Sequence, residues 1–216
     1  MKRTLDLILS AVGLVFLVPF LAVVAALVKL DSPGPVFYRG VRVGRFGKTF
    51  RIFKFRTMVQ NADKLGGTST AEDDSRITDS GRFLRKHKLD ELPQLLNVVR
   101  GEMSLVGPRP QVPWAVELYT AQEREILQLR PGITDYASVR FRAEAEILRG
   151  SADPDKDYLE KIHPEKMRLS LEYVRNRSFW LDCKILSRTL LALASRSQAD
   201  RSNVKARDRR SVKSTL

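Results

Sequence analysis

Leu7-Ile-Leu-Ser-Ala-Val-Gly-Leu-Val-Phe-Leu-Val-Pro-Phe-Leu-Ala-Val-Val-Ala-Ala-Leu-Val28 is the stretch of this chain that decides its fold, and it contains no charged residue. At about 1.5 Å per residue, a helix of this length crosses a hydrocarbon layer of about 30 Å. The run is too long for a cleaved signal peptide, and no small-residue cleavage site precedes the charged Lys29. We therefore predict a membrane helix in the N-terminal part of the chain.

The charges on both sides of this apolar run indicate how the helix sits in the membrane. Lys2 and Arg3 precede it, and a second basic group follows it: Lys29, Arg39, Arg42, Arg45 and Lys48. Since basic flanks favour the cytoplasm, both ends are expected on the same side. Pro19 lies within the run, where it removes a backbone hydrogen bond and favours a bend. We predict a re-entrant helix over residues 1–30 that bends at Pro19. A single kinked span is the alternative that the residues leave open.

The composition restricts the class of partner. The chain has 216 residues and a formal net charge of +13, which predicts an anionic partner. A nucleic acid, an acidic membrane surface and a phosphorylated substrate all meet this condition. Cys183 is the single cysteine, so no internal disulfide can form. His87 and His163 are too few and too far apart for a histidine-based metal site, and both are expected to be ordinary surface residues.

A second stretch, Arg85-Lys-His-Lys-Leu-Asp-Glu-Leu-Pro93, places two adjacent carboxylates within a dense run of cations. Pro93 lacks an N–H, so it is tolerated only in the first turn of a helix. Its position puts Asp90 near the N-cap and Glu91 in the first turn of a predicted helix. Free N–H groups and the helix dipole favour anions at such an end. The stretch therefore suits the binding of phosphate.

Several roles are open for these charged residues. Arg85, Lys86 and Lys88 can hold phosphate oxygens. Asp90 and Glu91 can hold a hard divalent cation that also bridges phosphates, or one of them can attack phosphorus as a nucleophile. The alternative is an ordinary helix start, in which Asp90 is a cap, Glu91 is a first-turn charge and the lysines are solvated. The local sequence leaves both interpretations open.

Residues 36–58 change to aromatic and β-branched residues with a period of two. Phe50, Ile52 and Lys54 are predicted to share one face of a strand, with residues 51, 53 and 55 on the other face and residues 44–47 in the turn. This pattern predicts a small β-hairpin near the membrane surface. Lys54 then either reaches the phosphate-binding site or faces lipid head groups.

Arg109 lies between two prolines in the segment Ser104-Leu-Val-Gly-Pro-Arg-Pro-Gln111. The prolines stiffen the backbone, so the guanidinium is presented to phosphate at a low ordering cost. A plain surface arginine is the alternative interpretation.

The C-terminal part of the chain is predicted to be helical. Residues 114–129 have a helical composition that ends before Pro131. Two amphipathic stretches follow, and the second has an apolar stripe at helical spacing: Phe179, Cys183, Leu186, Leu190 and Leu193. These helices either pack on the core or lie flat in the membrane interface. Residues 196–216 are rich in basic residues and poor in apolar ones, which predicts a disordered tail that contacts anionic lipid.

The order of several motifs resembles that of a known family, the bacterial sugar transferases, also described as monotopic phosphoglycosyl transferases. The resemblance covers about residues 2–195 and rests on Lys2-Arg-Thr-Leu-Asp6, Phe53-Lys-Phe-Arg-Thr-Met58, Leu89-Asp-Glu-Leu-Pro-Gln-Leu95, Gly101-Glu-Met-Ser-Leu-Val-Gly-Pro-Arg-Pro110 and Arg130-Pro-Gly-Ile-Thr134. It implies a membrane helix that breaks at Pro19. It also implies a catalytic domain seated by amphipathic helices on the cytoplasmic face of the bacterial inner membrane.

The resemblance further implies a reaction. A family member transfers a sugar 1-phosphate from a nucleotide sugar, usually a UDP-sugar, to a polyprenyl phosphate and releases UMP. By the family pattern, Asp90 is the nucleophile that forms a phosphosugar intermediate, and Glu91 helps to bind Mg²⁺. The adjacency of the two carboxylates makes Asp90 a second candidate metal contact. Arg85 and Arg109 match the positions that contact phosphate, and Lys54 is a third candidate for this contact.

Two departures from the family pattern limit what can be transferred to this chain. Many relatives have a serine before the helix-breaking proline, whereas Val18 stands there in this chain. Many also have a glycine after Ile-Thr, whereas this chain has Asp135-Tyr-Ala-Ser138. The sugar and nucleotide contacts of the common pattern are therefore not assigned to these residues.

Together these observations predict an α+β protein, mostly α, that is monotopic in the membrane. Its expected parts are the re-entrant helix (1–30), a catalytic domain with a small β-hairpin and amphipathic interfacial helices (31–195), and the basic tail (196–216). The expected partners are a UDP-sugar, polyprenyl phosphate and the lipid bilayer, with no nucleic acid, and a homodimer is left open. The rival interpretations are a membrane-tethered nucleic-acid-binding protein, suggested by the high net charge, and a non-catalytic scaffold.

Overall fold

The computed structural model describes residues 1–62, 65, 67, 69–141 and 144–192. The protein is mostly helical with small sheets, as predicted. In chain order the α-helices are α1 Lys2–Asp31, α2 Asp79–Lys86, α3 Leu95–Val99, α4 Pro113–Glu117, α5 Tyr136–Arg140, α6 Glu144–Ile147, α7 Pro154–Asp157, α8 His163–Asn176 and α9 over 179–192. Further turns of 3₁₀ helix cover Arg45–Gly47, Leu89–Gln94 and Glu123–Gln128, and a π-helical turn covers Tyr158–Ile162.

The strands pair two by two. They are β1 Phe37–Tyr38, β2 Val41–Val43, β3 Thr49–Arg51, β4 Lys54–Phe55, β5 Ser104–Val106 and β6 Gly132–Thr134. The pairs β2–β3 and β1–β4 are antiparallel, which confirms the predicted hairpin, and β5 pairs in parallel with β6. The predicted single strand from Phe50 to Phe55 is wrong. Since Ile52 and Phe53 are both buried, the chain cannot alternate there, and it leaves one ladder before it enters the other.

The apolar helix α1 is present, as predicted, and has 30 residues. It is the one helix within the described ranges that is long and apolar enough to cross a membrane. It ends at Asp31 because Ser32 precedes a proline and adopts an extended backbone (φ −155°, ψ 150°). The helix continues through Pro19 without a break in its assignment, so the bend predicted at that residue stays a prediction.

Both ends of α1 contact the rest of the protein. At the N-terminal end, Nη2 of Arg3 donates a hydrogen bond of 2.6 Å to the carbonyl oxygen of Val98. At the C-terminal end, Nη2 of Arg56 donates one of 3.1 Å to the carbonyl oxygen of Val28. Between these ends the helix exposes a series of large apolar side chains: Ile8, Leu9, Val12, Val15, Phe16, Val18, Phe20, Val23 and Leu27. The helix is therefore held at both ends by one folded body while much of its apolar surface is uncovered.

The core consists of small clusters that connect these elements. One cluster packs α1 against β4 and α2 through Val24, Val28, Phe55 and Leu84. Another packs the region of β3 against α3 through Phe50, Ile52, Val98 and Met103. A third packs β2 against α4 and α8 through Val43, Val116, Tyr119, Ile126 and Met167. The hairpin is thus fixed on one side to α1 and α2 and on the other to α8.

The prediction of one continuous helix over residues 114–129 is wrong. The helix α4 ends at Glu117, and a separate 3₁₀ helix begins at Glu123. The interruption is a capping box, in which Thr120 N donates to Glu123 Oε2 (2.7 Å) and Glu123 N donates to Thr120 Oγ1 (3.2 Å). These reciprocal bonds begin a new helical turn and so end the previous one.

The two predicted amphipathic stretches are present as α8 and α9. In α9 the aromatic side chains of Phe179 and Trp180 are 54% and 79% exposed, and Leu190 is 66% exposed, so this helix leaves an apolar surface uncovered. Leu193 of the predicted stripe and the predicted basic tail over 196–216 lie outside the described residues.

Candidate active site

The helix α2 brings its basic C-terminal end close to the hairpin. Thr78 caps the helix by accepting a hydrogen bond of 3.1 Å from Gly81 N. Gly81 lies so close to the preceding chain that a Cβ there would be 2.1 Å from the carbonyl oxygen of Thr57. Only glycine permits this approach, and it fixes α2 against the segment that carries Lys54.

The carboxylates lie in a 3₁₀ turn and not at the start of an α-helix. Lys88 adopts the left-handed conformation (φ 57°) and is the N-cap of the 3₁₀ helix Leu89–Gln94. Asp90 and Glu91 both lie in its first turn, so the predicted cap position of Asp90 is wrong. The chain reverses at Lys88 before Pro93 is reached, and this reversal moves the helix start towards the N-terminus.

Both carboxylates are buried and paired with cations. Asp90 is 1% exposed and Glu91 is 8% exposed. Lys54 Nζ lies 2.7 Å from Asp90 Oδ2 and 3.4 Å from Glu91 Oε1. Arg109 forms a two-pronged pair with Glu91, in which Nη1 donates to Oε2 at 3.0 Å and Nη2 donates to Oε1. Asp90 Oδ1 is buried and has no hydrogen-bond partner among the described residues, so one carboxylate oxygen is left for a ligand.

The charges in this group stabilise one another. Burial raises the pKa of Glu91, but Arg109 and Lys54 outweigh burial and hold that pKa well below its usual range. In turn, Glu91 raises the pKa of Arg109 against the effect of burial. Burial lowers the pKa of Arg85 and the charge of Asp90 opposes that shift, yet an arginine stays charged at neutral pH. Glu91, Arg109 and Arg85 are therefore ionised at neutral pH.

Backbone contacts on both sides hold the loop that carries Arg109, whereas the stiffening expected from its two flanking prolines stays a prediction. Gly107 N donates to the carbonyl oxygen of Thr134 at 3.0 Å, where β5 and β6 run side by side. A Cβ on Gly132 would lie 2.1 Å from Gly107 N, so the two chains meet at glycines. Arg109 N donates to the carboxylate of Asp135, which is 1% exposed, at 3.3 Å. Asp135, one of the departures from the family pattern, thus supports the loop that carries Arg109.

One cavity of about 540 Å³ collects the predicted site residues. The structure brings together along it all seven charged residues that the sequence suggested for phosphate or metal binding: Lys54, Arg85, Lys86, Lys88, Asp90, Glu91 and Arg109. Two further cations, Arg42 and Arg82, line the same space. Pro19 does not line it. The volume is within the range of about 300–1,000 Å³ that is usual for small-molecule sites.

Sequence reasoning missed a second group of residues along the cavity, which comes from α4, α6, the π-helical turn and α8. Its members are Trp114, Glu144, Tyr158, His163 and Lys166. His163 was expected to be an ordinary surface residue, and that prediction is wrong because it is half-buried and burial lowers its pKa. The spacing of His163 and Lys166 by three residues at the start of an amphipathic helix was the available sequence signal. The other members come together only through tertiary folding.

The two carboxylates determine which metal the site could hold. In the part of the chain that the structure describes, no group of three or more His, Cys, Asp and Glu side chains is arranged to bind a metal ion. Asp90 and Glu91 supply two carboxylates, and Asp90 Oδ1 has no partner. Mg²⁺ is commonly held by one or two carboxylates together with substrate phosphates and water. The residues fit an ion of this kind, shared between the protein and a phosphorylated substrate.

The fold and the site together define a protein with an apolar N-terminal helix compatible with membrane association and a cationic cavity suited to phosphate. The family described as bacterial sugar transferase matches residues 1–196. The chain belongs to the bacterial sugar transferase family.

Curated relatives carry names that describe a reaction. The chain is 37% identical over 201 residues to the UDP-glucose:undecaprenyl-phosphate glucose-1-phosphate transferase of Caulobacter vibrioides, covering 92% of this chain and 71% of that protein. It is 35% identical to the UDP-N-acetylgalactosamine-undecaprenyl-phosphate N-acetylgalactosaminephosphotransferase of Aeromonas hydrophila, covering 88% and 42%. It is 38% identical to an Escherichia coli protein with the same name as the Caulobacter one, covering 88% and 39%. The chain therefore spans only about two fifths of the length of the last two relatives.

Proposed function

We propose that this chain is a phosphoglycosyl transferase that moves a sugar 1-phosphate from a UDP-sugar to undecaprenyl phosphate and releases UMP. The observation that carries the proposal is the pair of buried carboxylates, Asp90 and Glu91, held among cations in a cavity of about 540 Å³. The names of relatives in the same family describe transfers of this type. The reaction is the first membrane step in the assembly of a surface glycan.

The reaction proceeds in two displacements at one phosphorus atom. In the first, an oxygen of Asp90 attacks the phosphorus that bears the sugar, the bond from that phosphorus to the bridging oxygen breaks, and UMP leaves. In the second, a phosphate oxygen of undecaprenyl phosphate attacks the same phosphorus and displaces the carboxylate of Asp90. The product is the undecaprenyl diphosphate sugar, and the carboxylate is regenerated. Two steps allow two bulky substrates to use one site in turn.

The cations have to change partners when substrate arrives. A carboxylate and a diphosphate repel each other, so attack requires positive charge around the phosphate. In the described structure Lys54 and Arg109 pair with the carboxylates, and Arg109 is 35% exposed and within reach of a ligand. A diphosphate competes for these cations together with Arg85. When Lys54 transfers to phosphate, it frees Asp90 Oδ2 for attack.

The site also suits the expected cofactor. Asp90 and Glu91 would hold Mg²⁺, which supplies neutralisation of the phosphate charge when it is bound. The support is the unpartnered Asp90 Oδ1 beside a cavity of cationic character. Arg109 and Lys54 orient Glu91 through their ion pairs, so this carboxylate is positioned before any ligand binds.

The reaction is tested with purified protein in Mg²⁺, undecaprenyl phosphate and a panel of UDP-sugars, with UMP release as the readout. We expect release with at least one sugar, and we expect Asp90→Asn to abolish it. Asp79→Asn is the matched control, because Asp79 is an exposed residue at the start of α2. We expect this variant to retain turnover. Wild-type turnover by Asp90→Asn would contradict the nucleophile. Failure to transfer label from any sugar-labelled nucleotide would favour a non-catalytic scaffold.

The topology is part of the proposal. The helix α1 enters the inner membrane, bends at Pro19 and returns, so that both of its ends and the catalytic domain lie on the cytoplasmic face. The support is that Arg3 and Arg56 attach opposite ends of α1 to the same folded body. The exposed apolar side chains of α1 and α9 then face lipid.

Cysteine accessibility tests this topology. Thr4→Cys and Leu30→Cys are made separately in a Cys183→Ser background and treated with an impermeant thiol reagent in sealed inverted and right-side-out vesicles. We expect both positions to react from the cytoplasmic side only. Labelling of the two positions from opposite faces would contradict the re-entrant helix.

A further inference from the structure

The second group of cavity residues differs from the first in charge. Around Asp90 and Glu91 the cations outnumber the carboxylates, as a phosphate site requires. In the second group, Lys166 forms an ion pair with Glu144, so the pair carries no net charge. Arg109 connects the two groups, because it is paired with Glu91, lines the same cavity as Glu144 and Lys166, and lines a second small cavity together with Lys166. The second group therefore adjoins the phosphate site without extending its positive charge.

The Lys166 pair is built into the protein. Lys166 is 8% exposed, and its ammonium lies 4.9 Å from the centroid of the Tyr158 ring. Its partner Glu144 keeps 33% of its side chain exposed and lines the cavity. The ammonium has three N–H donors and the carboxylate has several acceptor positions, so one contact between them leaves capacity on both. The pair is thus a fixed donor and acceptor on the cavity wall.

The backbone before α8 places Tyr158 on the same wall. Residues Tyr158–Ile162 form a π-helical turn between α7 and α8. Such a turn takes in one residue more than an α-helical turn and so rotates the preceding residues around the helix axis, and π-helical turns are frequent at functional sites. Tyr158 thereby lines the cavity with Lys166 and His163, and Trp114 adds a second aromatic side chain.

A buried ion pair is a weak source of stability. Removing two charges from water costs several kcal/mol per ion, and apolar residues of similar volume often stabilise a protein as well or better. A pair that is kept on the wall of a functional cavity instead offers directional hydrogen bonds to a ligand. A neutral ligand that is rich in hydroxyls matches a pair with no net charge beside aromatic rings.

We propose that Glu144 and Lys166, with Tyr158 and Trp114, bind the sugar of the UDP-sugar through its hydroxyls and determine which sugar is accepted. This inference rests on the proposed function. In a UDP-sugar, the sugar is joined through a single oxygen to the phosphorus that Asp90 attacks, whereas the nucleoside is one phosphate further away. Since Arg109 is paired with Glu91 and lines the same cavity as Glu144 and Lys166, we place the sugar against this group.

The experiment compares ligands with and without the sugar. Glu144→Gln and Lys166→Met each remove one charge with little change of size, and Glu160→Gln is the matched control because Glu160 is exposed and does not line the cavity. Binding of UMP and of each UDP-sugar is measured by titration, and kcat/KM is measured for a panel that includes UDP-glucose and its epimer UDP-galactose. Thermal unfolding is recorded for every variant.

We expect each cavity variant to lose roughly 10–100-fold in kcat/KM for the preferred UDP-sugar, because a buried hydrogen-bonding group is left without its hydroxyl partner. The ratio between the two epimers shifts as well, and binding of UMP changes less than about twofold. The control variant keeps the wild-type values. A selectivity change without a matching change in UMP binding is an effect that a purely structural pair would not produce.

Other results would overturn the sugar assignment. Equal weakening of UMP and of every UDP-sugar would assign the group to the nucleoside. A lowered unfolding temperature with unchanged selectivity would assign it to the fold alone. Failure of the wild type to release UMP from any UDP-sugar would instead overturn the proposed function. The titrations would still decide whether these residues distinguish a UDP-sugar from UMP.

Discussion

The apolar helix α1 and the acidic turn Leu89–Gln94 reverse the usual relation between polarity and exposure. On α1, Val15 is 72% exposed and Phe16 is 78% exposed, whereas Asp90 in the turn is 1% exposed. In a protein surrounded by water, large apolar side chains are usually buried and carboxylates are rarely so. Both regions therefore depend on a partner, and the difference lies in where that partner is.

The acidic turn already has its partners within the chain. Lys54 and Arg109 pair with it, and in the proposed mechanism both cations exchange a carboxylate for a phosphate. The exposed side of α1 has no comparable cover within the described residues, and we propose that a lipid phase supplies it. Changes at single residues should consequently damage the turn, whereas α1 should tolerate changes that do not alter its contact with lipid or with its packed side.

The largest effect is expected from removing a partner of the acidic turn. Arg109→Ala leaves Glu91 buried with Lys54 alone, and it removes a contact to the substrate phosphate. We expect kcat/KM to fall by roughly 10²–10³-fold. The free energy of unfolding should fall by about 1–3 kcal/mol, below the value for a fully buried pair because Arg109 is partly exposed. Turnover and thermal unfolding measure these effects, with exposed Arg124→Ala as the control. Unchanged turnover would remove Arg109 from the site.

The next prediction compares the two sides of α1 by placing a lysine on each side in turn. Val28 is 1% exposed and packs against Phe55 and Leu84, so Val28→Lys should lower the free energy of unfolding in detergent by about 3 kcal/mol or more. Val15→Lys should change it by less than about 0.5 kcal/mol, yet weaken transfer of α1 into a bilayer by about 2.5–3.5 kcal/mol. Thermal unfolding and vesicle co-sedimentation report the two quantities. A large loss of unfolding free energy by Val15→Lys in detergent would show that its side of the helix is packed.

The two regions also differ in how far the sequence predicts them. A run without charges is enough to identify α1, because the bilayer imposes a length and a composition that few other structures share. The carboxylates of the turn were visible as an adjacent pair. Their contact with Lys54, however, joins positions 36 residues apart in the numbering and depends on the packing of α2 against the hairpin. The hairpin pattern left open whether Lys54 reaches the site or faces lipid, and the contact with Asp90 shows that it reaches the site.

Two kinds of feature were missed, for different physical reasons. The capping box of Thr120 and Glu123 was present in the sequence as Thr-x-x-Glu, and helical composition was given too much weight over it. The pair of Glu144 and Lys166 had no local signal, because it joins a four-residue helix to α8 across the π-helical turn. Short helices are defined by tertiary contacts more than by their own sequence pattern.

A smaller effect is expected where the two regions are joined. Arg56 is 7% exposed and donates hydrogen bonds to the carbonyl oxygens of Val28 and Ser32 at the C-terminal end of α1. Arg56→Met should lower the free energy of unfolding by about 1.5–3 kcal/mol, because these carbonyls lose a charged donor. Turnover should fall several-fold as well, since Lys54 lies two residues earlier in the same segment, in β4. Exposed Arg51→Met is the control. Full turnover by a destabilised Arg56→Met would show that the attachment of α1 does not position Lys54.

The smallest effect is expected from a change of pH, because the stability that ionised Glu91 gives to the turn should be lost only in acid. The pKa of Glu91 is well below its usual range, because Arg109 and Lys54 outweigh the effect of burial. In the unfolded chain this carboxyl binds its proton near the ordinary value of about 4.3. Its ionised form therefore stabilises the folded state fully above that pH, and the contribution is lost as the pH falls towards the folded pKa. Between about pH 6 and 8 the difference in unfolding free energy between the wild type and Glu91→Gln should be constant, and below about pH 4 it should shrink.

Thermal unfolding of both proteins across this pH range measures the difference. Val15→Lys serves as the comparison, because this substitution neither adds nor removes a group that titrates in acid. A wild-type advantage over Glu91→Gln that grows as the pH falls from about 8 to 6 would mean that burial outweighs the cations and raises the pKa of Glu91. The acidic turn would then need its substrate or metal to be fully ionised. It would depend on an external partner in the same way as the uncovered side of α1.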